Sequence, residues 1–137
     1  MPPEHPVRLT KRSEYLEVAR GARTPRRGFL LQSIARRDGR SAEPDAAAPP
    51  RFGFTVTKKI GNAVERNRIR RRLKEAVRLE GAAAARPGTD HVLVGRRAAL
   101  TQPFAELVAD VVGAVRDPGG EGGGRGGRGA RKRPVDG

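Results

Sequence analysis

The chain has 137 residues, with 29 Lys or Arg against 15 Asp or Glu, for a net charge of +14. It contains no cysteine, which excludes disulfides, Cys-based zinc sites and thiol nucleophiles. No apolar run approaches the roughly 20 residues needed to span a bilayer, and a charge imbalance of this size draws a chain toward a polyanion such as RNA, DNA or an anionic membrane surface.

In chain order, residues 1–8 read as unstructured; Met1 to Leu9 holds three prolines and no apolar core of a secretory signal. A cytoplasmic protein is the expectation. Thr10 is placed to cap a short helix over Lys11 to Arg20, with Tyr15, Leu16 and Ala19 as its apolar side and Gly21 as its end. Gly28 to Ala35 reads as a strand. Arg36 to Arg51, rich in Pro, Ala and charge and without a period, reads as a long mobile loop. In FGFTVT, residues 52–57, Phe52, Phe54 and Val56 share one face of a half-buried strand.

Asn62 stands three residues before Glu65, a capping-box spacing that predicts a helix from about Ala63 to Glu80, bracketed by Gly81 and Pro87. HVLVGR, residues 91–96, reads as another strand. Phe104, Leu107, Val108, Val111, Val112 and Val115 recur at helical spacing, with Thr101 as the expected cap. Asp117 onward is too Gly-rich and too poor in apolar side chains to order itself. The expected organisation is a disordered 1–8, one folded domain over 9–116 and a disordered Gly/Arg-rich tail over 117–137. The expected fold class is α+β, a small sheet packed with helices, with room for one further strand near the long loop.

The charge is concentrated. Residues 51–78 hold ten basic side chains against Glu65 and Glu75, whereas the tail holds five against three. On a helical wheel Ile69, Leu73, Ala76 and Val77 form one stripe. Asn67, Arg70, Arg71, Lys74 and Arg78 point roughly the other way, so one face can pack while the other meets phosphates, for which the arginine fork is well shaped. Arg66 lies near the apolar stripe and is expected to be pinned at the helix start.

The run FTVTKKIGNAVERNRIRRRLKEAV, residues 54–77, resembles the bacterial ribonuclease P protein subunit. The match centres on Lys58-Lys59-Ile60-Gly61-Asn62-Ala63-Val64 followed by Arg66-Asn67-Arg68. Weaker agreement extends over about residues 8–116. The resemblance implies a fold like the second domain of ribosomal protein S5, with a left-handed βαβ crossover, against the usual right hand. It implies that Arg66, Asn67, Arg68, Arg70, Arg71 and Lys74 meet a catalytic RNA subunit. It further implies that Tyr15, Phe29, Phe54, Val56 and Lys58 line or edge a cleft, between the first helix and the sheet, for the 5′ leader of precursor tRNA. The partners implied are that RNA and precursor tRNA, with no membrane and no protein partner required. Chemistry would be done by Mg²⁺ bound chiefly by the RNA, with no catalytic residue in the protein. Ala19 and Gln32 stand where the family often has aromatics, which shifts leader binding from base stacking toward charge.

Three other readings compete. A protein-only nuclease lacks a candidate acid–base pair: His5 lies in the unstructured end, His91 opens a strand, and neither makes a recognisable spacing with Asp90 or Asp110. A ribosomal component fits the composition but not the KKIGNAV–RNR run. DNA binding finds no helix-turn-helix or finger. The Arg125–Arg128 RGG-like run reads equally as a weak RNA contact or as a plain terminus.

Overall fold

The runs FLLQSIA, RFGFT and TDHVLVG become three adjacent strands. The structure, a computed structural model, describes residues 7–35 and 49–119. Its elements are β1 (Val7–Arg8), α1 (Arg12–Val18), β2 (Ala22–Pro25), β3 (Phe29–Ala35), β4 (Arg51–Thr55), α2 (Ala63–Ala76), α3 (Ala82–Ala84), β5 (Thr89–Gly95) and α4 (Phe104–Arg116). The sheet order is β1-β4-β5-β3-β2. β5 runs parallel to β4 and antiparallel to β3; β1 is parallel to β4, and β2 antiparallel to β3. The apolar stretch Val92–Val94 of β5 suits this central place, and the strand is buried on both faces, Asp90 and His91 included.

Strand alternation sorts the side chains to two faces. Phe29, Leu31, Phe52, Val56 and Leu93 face α2 and α4, where they meet Ile69, Leu73, Ala76 and Val77 and then Leu107, Val111, Ala114 and Val115. On the other face, Leu9 and Val18 pack on Val92, with Tyr15, Ile34 and Val94 partly buried around them. Two glycines permit these approaches. A Cβ on Gly95 would stand 2.8 Å from Ile69 Cγ2 of α2, and one on Gly53 would stand 2.7 Å from the Tyr15 ring.

The Asn62–Glu65 box caps α2 as expected. The Asn62 side chain accepts from the Glu65 N–H at 2.8 Å, and the Glu65 carboxylate accepts from the Asn62 N–H at 3.1 Å. The β4–α2–β5 unit is a parallel crossover that carries this basic helix.

Several expectations are corrected. Val7–Arg8, inside the stretch read as unstructured, pairs with Arg51 and Phe52. β2, which the sequence pattern does not predict, is an edge strand whose single buried side chain is Thr24. Thr10 does not cap α1; the Glu14 carboxylate does that work, accepting from the Thr10 and Lys11 N–H groups at 3.0 Å each. The buried side of α1 is Val18 with Tyr15, whereas Leu16 is 56% exposed and Ala19 is also exposed. Gly21 lies against the Ser33 carbonyl rather than in a left-handed cap. Gly81 does not end the basic helix. It sits in a π-helical turn, Val77–Gly81, against Val111, and the helix runs on into α3. Thr101 is exposed, and the cap position of α4 is Pro103, which makes no side-chain cap bond. Arg51, read as the end of the loop, opens β4. Residues 36–48 of that loop and the tail from 120 lie outside the described residues, as does the further strand expected near the loop if it falls there.

Candidate nucleic-acid interface

α2 presents its basic side chains in two groups. Arg72 and Arg78 are engaged by the protein. Arg72 donates to the Ala99 and Gln102 carbonyls, the latter at 2.7 Å, with its guanidinium 5.7 Å from the centre of the Phe104 ring. Arg78 pairs with Glu75. Arg66, Arg68, Arg70, Arg71 and Lys74 have no carboxylate ion pair among the described residues. Arg66 is pinned as expected, its Nε donating to the Gly61 carbonyl at 3.2 Å. Arg70 donates to the Asn67 side chain at 3.0 Å, which orders both without neutralising either. Asn67, Arg68 and Arg71 are exposed. The six side chains assigned to RNA-subunit binding are thus brought together on one helix.

Lys74 is half-buried, its ammonium 6.0 Å from the centre of the Phe54 ring. Burial lowers its pKa first, and Arg8 and Arg70 lower it further. At the helix start Glu65 is held below the usual carboxylate range, chiefly by Arg97, whose guanidinium donates to it at 2.8 Å, and then by the Asn62 N–H. The acid beside the basic row is therefore occupied and ionised.

The five leader-cleft candidates are not brought together. Tyr15 lies on the α1 face of the sheet, over Gly53. Phe29, Phe54 and Val56 lie on the α2/α4 face. Phe29 is fully buried and Val56 is 6% exposed, so neither can touch RNA; this corrects their assignment. Lys58 is exposed in the turn before α2. The cause is the position of α1, which lays Tyr15 on one face of the sheet while Phe29, Phe54 and Val56 share the other. The residues that do share a face with Tyr15 are Leu30, Gln32, Thr55 and Val94, all partly exposed, and Arg23, opposite Gln32 across the β2–β3 pair.

Arg51 ties α1 to the sheet. It holds Asp90 bidentately at 2.9 and 2.7 Å and donates to Glu14 at 2.8 Å. Backbone N–H groups of Lys11 and Thr10 and then Arg51 keep Glu14 below the ordinary carboxylate range, and Asp90 raises the Arg51 pKa. His91 is fully buried, its Nδ1 2.7 Å from Ser33 Oγ and its Nε2 2.8 Å from Thr89 Oγ1, and it stacks on Phe52. Both ring nitrogens are engaged and out of reach of a substrate. Among the described residues no three His, Asp or Glu side chains converge as a metal-binding group, and no helix is long and apolar enough to cross a membrane.

The family model described as Ribonuclease P matches residues 4–118. The ribonuclease P protein component of Gluconacetobacter diazotrophicus is 47% identical over 116 residues, which cover 84% of this chain and 93% of the relative. That of Brucella suis is 48% identical over 107 residues, 77% of this chain and 74% of the relative. Among solved structures, the ribonuclease P protein from Thermotoga maritima superposes with a TM-score of 0.63 at 19% identity, covering 80% of this chain and 94% of that one. A mutant Staphylococcus aureus ribonuclease P protein does so with 0.59 at 24%, covering 79% and 83%. The structures bear on the fold alone; the family model and the relatives, over most of the chain, place it in the bacterial ribonuclease P protein family.

Proposed function

We propose that this chain docks on a catalytic RNA through the exposed row of α2 and helps that RNA remove the 5′ leader of precursor tRNA. The observation that carries the reading is the set of Arg66, Arg68, Arg70, Arg71 and Lys74, ordered on one capped helix and without a carboxylate ion pair among the described residues. Such a row gains most by replacing its counterions with phosphates.

In this reading the leader runs on the α1 face, along Tyr15, Thr55, Gln32 and Val94, with Arg23 at one margin. One aromatic side chain is available there for stacking, so charge and backbone contacts carry more of the affinity. Three of the described carboxylates suit Mg²⁺ poorly, because Glu14 and Asp90 are held by Arg51 and Glu65 by Arg97. Mg²⁺ held chiefly by the RNA would supply activation of water and stabilisation of the leaving oxygen. The protein's part is to hold the two RNAs in register on opposite faces.

Cleavage of a precursor tRNA at low Mg²⁺ tests this. The purified chain alone should leave the substrate intact, the RNA subunit alone should cut slowly, and the two together should cut rapidly. Cleavage by RNA-free protein would contradict the assignment of chemistry to the RNA.

A further inference from the structure

Between the β1–β4 edge of the sheet and the second half of α2 lies a cavity of about 470 Å³, within the roughly 300–1,000 Å³ range of small-ligand sites. Its floor is apolar, formed by Phe52, Phe54 and Val77; its rim is Arg8, Arg71 and Lys74. The two phenylalanines differ: Phe52 is fully buried, whereas Phe54 is only partly so and lines the cavity beside the Lys74 ammonium. Glu75, the one acid in the lining, is paired with Arg78. Lys74 therefore sits over an aromatic ring among like charges, and burial together with Arg8 and Arg70 disfavours its ammonium. An anion in the cavity would relieve all three cations at once.

We propose that this cavity takes one unpaired nucleotide of the RNA subunit, its base stacked on Phe54 and its phosphate held by Arg8, Arg71 and Lys74. The inference rests on the proposed docking of α2 on that RNA and adds a base-reading site to a phosphate-reading helix. The two halves of the cavity match the two halves of a nucleotide. Phosphate alone would leave the aromatic floor bare, and a purely apolar ligand would bury the cations without compensation. The site lies across the sheet from Tyr15, so a leader lying along that face would not reach it.

Ultraviolet irradiation of the full-length protein bound to the RNA subunit and precursor tRNA, followed by nuclease and trypsin digestion and mass spectrometry, tests the proposal. The expected adduct is one nucleotide of the RNA subunit on Phe54, in the peptide spanning residues 52–58. In parallel, Phe54→Leu should raise the Kd for the RNA subunit by about 5- to 100-fold, the range of one lost base stack, while Phe54→Tyr should bind like the parent. Both variants should keep the parent's melting temperature. Adducts on α2 with none on Phe54, an adduct from the leader, unchanged affinity in Phe54→Leu, or equal losses in Leu and Tyr would each overturn the site while leaving α2 docking intact. Failure of the unmodified protein to bind the RNA subunit would remove both readings and is seen in the same titration.

Discussion

The two faces of the sheet are built to different depths. Beneath α2 and α4 lies a cluster of 15 buried apolar residues, whereas beneath the seven-residue α1 the cluster is Leu9, Val18 and Val92. Burial of apolar area is the main stabilising term in folding, so the first face carries most of the stability. The second leaves Leu30, Gln32, Thr55 and Val94 partly open, a surface a strand of RNA can use without disturbing the core. The deep face also fixes α2, so its outward row is displayed by a rigid support. On the proposed function, a small protein would meet two RNAs by giving one face to packing and leaving the other thinly covered.

Unequal truncations should expose this asymmetry first. Leu73→Ala, at the centre of the deep face, is expected to cost about 2–5 kcal/mol in denaturant unfolding. Val18→Ala, on the thin face, should cost about 1.5–2 kcal/mol, close to the transfer value of the two methyl groups removed. Equal losses would mean that α1 is as integral to the core as α2.

The deep face also hides a titratable ring. Burial holds His91 down to about 4, from an ordinary 6.5. Between these values the unfolded chain binds a proton that the folded chain refuses. The contribution is therefore fully present above about pH 6.5 and is lost as the pH falls toward 4, by up to about 3 kcal/mol. Denaturant titrations at pH 7, 5.5 and 4 should show this decline, and His91→Gln should flatten its part of it.

Binding should separate the faces in the opposite sense. Ala substitutions at Arg66 and Arg68 should each cost about 1–3 kcal/mol in affinity for the RNA subunit if the contacts are charge-assisted, with little change in unfolding free energy. A triple Ala variant of Arg70, Arg71 and Lys74 should flatten the salt dependence of that binding. Tyr15→Ala should weaken leader binding by about 1–3 kcal/mol, the worth of one stacked base, and leave RNA-subunit affinity alone. The smallest expected effect is Leu16→Ala, within about 0.5 kcal/mol in stability, because that side chain already faces water.

Much of this is legible in the sequence alone. Asn62 and Glu65 announced the start of α2, and Ile69, Leu73, Ala76 and Val77 its buried stripe, because caps and periodicity are local signals. α4 was clear for the same reason. β1 was not, because two residues carry no period and their pairing with Arg51 and Phe52 is long-range. β2 was missed because an edge strand with one inward side chain, Thr24, has no apolar run. Gly81 misled because a small residue serves close packing against Val111 as well as it serves a helix end. The site divided along the same line. The α2 row could be read from one helix, but placing Phe29 and Tyr15 on opposite faces required the register of β3 against β5 and the position of α1. Chemical type marked these aromatics as candidates; only the sheet decides which of them meets solvent.

Arg72 has a kinetic consequence. Its guanidinium grips the carbonyls of Ala99 and Gln102 and lies over Phe104, so it adds to the buried stripe in fixing the rotation of α2 about its own axis in the free protein. If α2 docks on RNA as proposed, the basic row waits at its docking angle and little ordering remains for the moment of encounter. Association with RNA should then be governed by how fast opposite charges steer the two molecules together, with an on-rate that drops steeply as salt is added. Loosening that grip with Arg72→Met should slow the approach to the final complex by adding a search over helix orientations, even though the residue itself touches no phosphate.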